Sequence, residues 1–240
     1  MIEDDERSVL RRRWSNELAR EHLYRVPKGT KLDLGSGPRP AEGFFGVDIV
    51  PGIADFEVDF DTGEPWPFED DSVAALRASH VIEHIDSGYR PEWRQAGPEK
   101  GTPSLDGRIP PHWLVRGGSN WVLTGRKKDL LFHFFDEAFR IIEPGGTFEV
   151  RWPNLKNEIA HGDPTHRRFP STWLLPYLNR KSRELNGVGH YAALCNWSGS
   201  VHEEQRVRRP GMSDLELADA AVKEWNVCDE TVMLLRADKS

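Results

Sequence analysis

Residues Lys31 to Pro51 read KLDLGSGPRPAEGFFGVDIVP, and the reading of the whole chain turns on them. Leu32-Asp33-Leu34 is a short, largely apolar run that suits a buried strand, and it stops at Gly35-Ser36-Gly37. Glycine has no Cβ, so the backbone can turn hard there and a ligand can lie against the main chain. Phe44 to Ile49 is a second apolar run with a carboxylate, Asp48, near its end. Strand, glycine turn, strand and acid is the layout of a nucleoside-binding crevice at the carboxyl ends of parallel strands. The third glycine of a dinucleotide fingerprint is replaced by Pro40, and no Lys followed by Ser or Thr comes after the glycines, so this is neither that fingerprint nor a phosphate-cradling loop. Pro38 and Pro40 discourage a long helix directly after the turn.

At 240 residues, 38% of them hydrophobic and 30% charged, the chain can bury a core and keep a well-solvated surface. The formal charge of −7 lacks the basic footprint of a duplex-binding domain, so nucleic acid is an improbable partner. Cys195 and Cys228 lie too far apart for a zinc knuckle or a disulfide framework. Charge begins at Glu3, which argues against a signal peptide, and no apolar run approaches the length of a membrane span. A cytoplasmic protein with no membrane partner is expected.

Outward from the opening stretch, residues 1–29 suggest a helical arm. Phe56 to Phe60 alternates like a third strand, and Val73 to Ser79 suggests a fourth, followed by a short helix or turn over Val81 to Ile85. Residues 86–126 are rich in Gly, Pro, Arg and Trp with little periodicity, which marks an insertion or lid. From Lys128 to Glu143, Leu131, Phe134, Phe135, Ala138, Phe139 and Ile142 recur with helical spacing until Pro144-Gly145-Gly146 ends the pattern. Thr147 to Trp152 suggests a fifth strand, and Gly189 to Trp197 and Glu224 to Leu235 suggest late strands. Helices are expected over Ser171 to Asn179 and Met212 to Val222, capped by Ser171 and Ser213. The alternation argues for one α/β domain over 1–240.

Four separated stretches then match one family in order: Leu32 to Gly37 with Gly46-Val47-Asp48; Val58-Asp59-Phe60 leading to Pro67 to Ser72; Ser79 to Ile85; and Phe135 to Gly146. Over about Lys31 to Asn154 the chain resembles the class I S-adenosylmethionine-dependent methyltransferases. Asp163 to Phe169 (DPTHRRF) is similar to a narrower, largely uncharacterised bacterial and phage group. The resemblance implies a Rossmann-like, seven-stranded, mostly parallel sheet with helices on both faces. This chain departs from it in a short first crossover, Pro38 to Gly43, and in the insertion after the fourth strand.

The resemblance also implies S-adenosylmethionine as cofactor. Gly35 and Gly37 would lie against its methionine part with Asp33 and Ser36 as polar neighbours, and Asp48 would hold the ribose. Asp59 and Phe60 would face the adenine, and Ser79 and His80 the region of the sulfonium. Candidates for handling a proton are His80, Glu83, His84, Asp163 and His166, and Arg167 and Arg168 carry forked donors for an anionic group. The expected acceptor is a small or saccharide-like molecule.

Two other readings compete. His80-Val81-Ile82-Glu83-His84 matches H-x-x-E-H, a zinc-hydrolase signature that needs both histidines on one face of a helix, with His161, Asp163 or His166 as a further ligand. A non-catalytic module of the same fold, docking a partner through Trp93, Trp113 and Trp121, is the third.

Overall fold

The computed structural model describes residues 23–86, 92–95, 121–125, 129–188, 193–204 and 211–239. The expected arm over 1–29 therefore lies largely outside the described residues, as do most of 86–126 and Trp113. In chain order the elements are β1 (Lys31–Leu34), β2 (Phe45–Asp48), β3 (Phe56–Glu57), β4 (Val73–Ser79), β5 (Glu92–Gln95), β6 (Trp121–Gly125), α1 (Leu130–Ile141) and β7 (Ile142–Pro153). There follow α2 (Glu158–Gly162), α3 (Leu174–Leu178), α4 (Arg180–Leu185), β8 (Trp197–Glu204), α5 (Asp214–Lys223) and β9 (Glu230–Ala237).

Seven strands form one sheet in the order β3-β2-β1-β4-β7-β9-β8, and β5 and β6 pair as a separate antiparallel ribbon. Strands β3, β2, β1, β4 and β7 run parallel to one another. Only β9 runs against the strands on either side of it. The order reverses after β1, since the chain grows toward β3 on one side and toward β4 and β7 on the other. This is a doubly wound, Rossmann-like α/β sheet, and ligands of such sheets sit beyond the carboxyl ends of the strands at the point of reversal.

Parallel strands usually need a crossover of a dozen or more residues. Between β1 and β2 only residues 35–44 are available, and no helix forms there. Two devices make the short path work. Asp33 accepts a hydrogen bond from the Ala41 amide at 2.8 Å, which draws the returning chain onto the end of β1. Gly46 supplies the space, because a Cβ there would stand 2.5 Å from Ser36 Oγ and 3.4 Å from Pro40 Cβ.

One face of the sheet is apolar. Leu32, Leu34, Leu76, Ala78, Phe148, Val150 and Trp152 are buried on it, each at alternate positions of its strand. Helix α1 packs here because Leu130, Leu131, Phe134, Phe135, Ala138 and Ile141 share one stripe. Phe134 meets Phe60, Trp66, Phe135 and Phe148 in edge or tilted contacts. The polar side of α1 acts as a set of hooks. Asp136 accepts hydrogen bonds from the amides of Leu194 and Cys195, and Glu137 accepts one from the Trp66 amide. Arg140 donates to the carbonyls of Trp66 and Phe68 and to Asp70. On the opposite face Asp33, Arg77, Glu149 and Arg151 form a partly exposed row of ion pairs across β1, β4 and β7.

The third strand is shorter than the alternation of Phe56 to Phe60 suggests, because the bond from the Val58 amide to the Asp48 carbonyl is its last to β2 and the chain turns at Asp59. Over Gly189 to Trp197 no strand is found among the described residues; the strand begins at Trp197. Its Ser- and Glu-rich sequence belongs to a sheet edge whose outer side faces water, so no apolar alternation marks it. The last strand starts at Glu230 rather than Glu224. Ser171 shapes a turn, with Oγ accepting from the Trp173 amide, but the helix begins only at Leu174. Ser213 forms a full capping box with Glu216, as expected for α5.

Because Phe134 is fully buried among four aromatic rings, Phe134→Ala is expected to cost about 3–5 kcal/mol. Urea denaturation followed by tryptophan fluorescence measures it.

Candidate functional site

A cavity of about 240 Å³ opens beyond the carboxyl ends of β1, β2 and β4, at the point of strand-order reversal. Gly35 forms its wall on the β1 side, and Asp48 and Ile49 form it on the β2 side. The turn after β3 contributes Asp59, Phe60 and Asp61, and the turn after β4 contributes His80, Val81, His84 and Ile85.

Gly35 is at φ +67°, and a Cβ added there would lie 2.4 Å from Val81 Cγ2. Only glycine lets the two turns touch in this way. The Asp48 carboxylate is held by main chain on both oxygens: Oδ2 accepts from the Gly37 amide at 2.8 Å and Oδ1 from the Val50 amide at 3.0 Å. A carboxylate offers about four lone-pair sites, so two remain for hydroxyl groups. Asp59 accepts from the Asp61 amide, and Asp61 from the Asp86 amide, which fixes the acidic turn over the cavity mouth.

His80 stands at the end of β4 at φ +59°, a conformation rare for a side chain larger than glycine. Its Nε2 is 2.7 Å from Glu230 Oε1 and its Nδ1 is 3.2 Å from Glu83 Oε1. The Glu83 carboxylate raises the pKa of the ring, burial opposes this, and Glu230 raises it further. His80 is therefore clamped between two carboxylates in the cavity wall, and is not the free base that its sequence position suggests.

The other candidates divide. Asp33 and Ser36 are occupied away from the cavity. Asp33 binds the Ala41 amide and Arg77, and Ser36 Oγ donates to the Gly37 carbonyl. Ser79 pairs beside Arg151 at the strand end and does not line the cavity. Asp163 is exposed and accepts from both the amide and the hydroxyl of Thr165, which hold its carboxyl below the usual range. Since the Thr165 hydroxyl donates to Asp163, it accepts from His84 Nδ1 at 3.1 Å. That assigns a proton to His84 Nδ1, so the neutral ring carries its lone pair on Nε2. His166 Nδ1 donates to the Ala160 carbonyl at 2.7 Å, so the neutral ring carries its lone pair on Nε2. The two imidazoles meet edge to face, with centroids 4.8 Å apart.

Arg168 is spent on structure. It donates to the carbonyls of Ile85 and Asp86 and pairs with Asp129, the N-cap of α1. The amides of Arg167 and Arg168 both donate to the Glu83 carbonyl. The segment after α2 is thereby laid over the turn that bears His84. Sequence reasoning missed Glu230 and Thr165, whose contacts depend on the register of β9 and the path of this segment, and neither leaves a local sequence signal.

The hydrolase signature fails in its own terms. Val81 to Ile85 is a turn, so His80 and His84 do not share a helix face: His80 contacts Glu230, and His84 turns to Thr165 and His166. His161 is engaged elsewhere, bonded to the Leu155 carbonyl and stacked on Phe169.

No protein-family model matches the chain, and no curated protein does. Among solved structures it is similar to a SAM-dependent methyltransferase from Archaeoglobus fulgidus, at 13% identity over 96% of this chain and 94% of that one, with a TM-score of 0.46. It is also similar to the [4+2]-cyclase SpnF, at 14% identity over 93% and 80% of the two chains, with a TM-score of 0.45. An S-adenosylmethionine-dependent methyltransferase from Mesorhizobium loti matches at 13% identity over 92% and 96%, with a TM-score of 0.40. The class to which the fold assigns the chain rests on its own strand order: a doubly wound α/β protein with an open cavity at the strand-order reversal.

Gly35→Ala is expected to destabilise the protein by roughly 1–3 kcal/mol through forced positive φ and contact with Val81. In urea denaturation, Gly35→Ala/Val81→Ala should recover part of the loss, since it relieves the contact and leaves the φ strain.

Proposed function

We propose that the protein is an S-adenosylmethionine-dependent methyltransferase of the class I type. One observation carries the reading: Asp48 and the glycine turn after β1 line the same open cavity at the strand-order reversal, with the carboxylate already oriented by the Gly37 and Val50 amides. The residues present fit the cofactor. Asp48 keeps lone pairs for two ribose hydroxyls, and the space a Cβ would fill at Gly35 lets main chain approach the methionine portion. Asp59 and the half-apolar wall made by Phe60 and Ile49 suit the adenine side. Asp33 and Ser36 act on this site by shaping the short crossover rather than by touching a ligand.

Bound there, the cofactor supplies a methyl group already activated on a sulfonium. The chain's own task is alignment, which can contribute about 7–11 kcal/mol at best. His80 and Val81 stiffen the wall beside the reacting end, and His84 lines the side over which the Asp163 to Arg168 segment lies. Asp163 serves as a positioning residue, acting on His84 through Thr165. A small or saccharide-like acceptor suits the modest cavity and the acidic surface. No helix among the described residues is long and apolar enough to cross a membrane. The buried Cys195 and Cys228, far apart in sequence, suit a reducing compartment, and a cytoplasmic location follows from this reading.

Calorimetry with S-adenosylmethionine and S-adenosylhomocysteine is expected to show binding by both. Asp48→Ala should weaken it roughly 10–100-fold, the range for hydrogen bonds to a charged group. Absence of binding by either ligand would overturn the reading. A tritium-methyl transfer screen against fractionated cell extract is expected to label one fraction and so name the acceptor class. Binding without transfer in every fraction would favour the non-catalytic module.

A further inference from the structure

Glu83 is the most anomalous ionisable side chain among the described residues. It is 2% exposed, and neither carboxylate oxygen has a hydrogen-bond partner. His80 Nδ1 stands 3.2 Å from Oε1, close enough for charge attraction but not aligned as a hydrogen bond, and Oε2 has no hydrogen-bond partner. Burying a carboxylate in this condition is costly unless a cation completes it. Beside it lie His84 and His166, and one ligand atom from each of the three falls within 4.8 Å of the others.

The protonation states match this arrangement. Thr165 fixes the proton of His84 on Nδ1, and the Ala160 carbonyl fixes that of His166 on Nδ1. The neutral form of each ring therefore offers its lone pair from Nε2. Asp163 Oδ2 is 3.8 Å from His166 Nε2, too far to occupy it as a hydrogen bond. A metal-binding histidine typically donates its second ring nitrogen to a carbonyl or a carboxylate-linked group, which is the role of Ala160 and of the Thr165–Asp163 pair here.

We propose that Glu83, His84 and His166 form a divalent transition-metal site. Two imidazoles and one carboxylate suit zinc, manganese, cobalt or ferrous iron better than magnesium or calcium, which prefer all-oxygen shells. Metal–nitrogen bonds of about 2.0–2.1 Å place ligand atoms roughly 3.4 Å apart on a tetrahedron, so the cluster closes by about an ångström on binding. Three protein ligands leave room for water or for an oxygen of a bound molecule. His84 lines the cavity, so those open positions adjoin whatever fills it. This ligand set differs from the one in the H-x-x-E-H signature, since His80 takes no part in it. The proposal does not depend on the cofactor reading.

The test uses the full-length protein, stripped with chelator and dialysed against Co(II) or Zn(II). The expected result is about one ion per chain by elemental analysis, a visible Co(II) absorption band, and a rise in Tm with added Zn(II). Glu83→Gln and His166→Ala should lose the ion, and His161→Ala, whose ring lies outside the cluster, should keep it. Thr165 is exposed, so Thr165→Val tests the supporting hydrogen bond without risk to the core, and about 10-fold weaker binding is expected. Failure of the wild-type chain to hold stoichiometric metal would overturn the proposal. So would unchanged binding in Glu83→Gln, His166→Ala and Thr165→Val. Calorimetry with S-adenosylmethionine on the chelator-treated protein reads the nucleoside crevice separately, so either reading can fail alone.

Discussion

The structure depends on a close approach between two turns. The main chain after β1 and the side chain after β4 meet at Gly35 and Val81, where a single methyl group in excess would not fit. That contact sets the floor of the cavity. It also holds the glycine turn at the height where its amides reach β2: the Gly35 and Ser36 amides bond to the Val47 carbonyl, and the Gly37 amide to Asp48. Three consecutive strand ends are tied together by one missing Cβ. The crossover helix that would normally brace this corner is absent, so the brace is polar instead, made by Asp33 with Ala41 and Arg77.

Much of this was legible in the sequence, because local rules govern it. Strands β1 and β2 are marked by apolar runs that end at glycine or an acid, β4 by a run of Val, Ala and Leu, and α1 by an apolar, largely aromatic stripe that stops before Pro144-Gly145-Gly146. Asp48 could be picked out for the same reason, since its place after the second strand follows from chain order alone. What could not be read depends on long-range register. The partner of His80 is Glu230, which is 150 positions away, and only the pairing of β9 with β7 brings it there. Strand β8 was hidden because an edge strand with one wet side does not alternate.

The charged residues make a related point. A motif-bearing stretch supplies residue types, and the fold then decides which of them have capacity left over. Asp33, Arg140 and Arg168 look available in sequence and are consumed by backbone groups. Asp48 is half consumed and keeps lone pairs. Glu83 is buried with its hydrogen-bonding capacity unused. Unspent polar capacity in a low-dielectric setting is energetically expensive, and for that reason it marks a site better than residue type does.

The Arg168 guanidinium has a further consequence. Its donors reach the carbonyls of Ile85 and Asp86 and the carboxylate of Asp129. Those residues are the last before, and the first after, the long stretch between β4 and α1 that carries β5 and β6. One side chain thus staples the point of departure to the point of return. The intervening stretch therefore begins and ends at a common anchorage beside the cavity, and its two ends cannot separate without breaking those bonds.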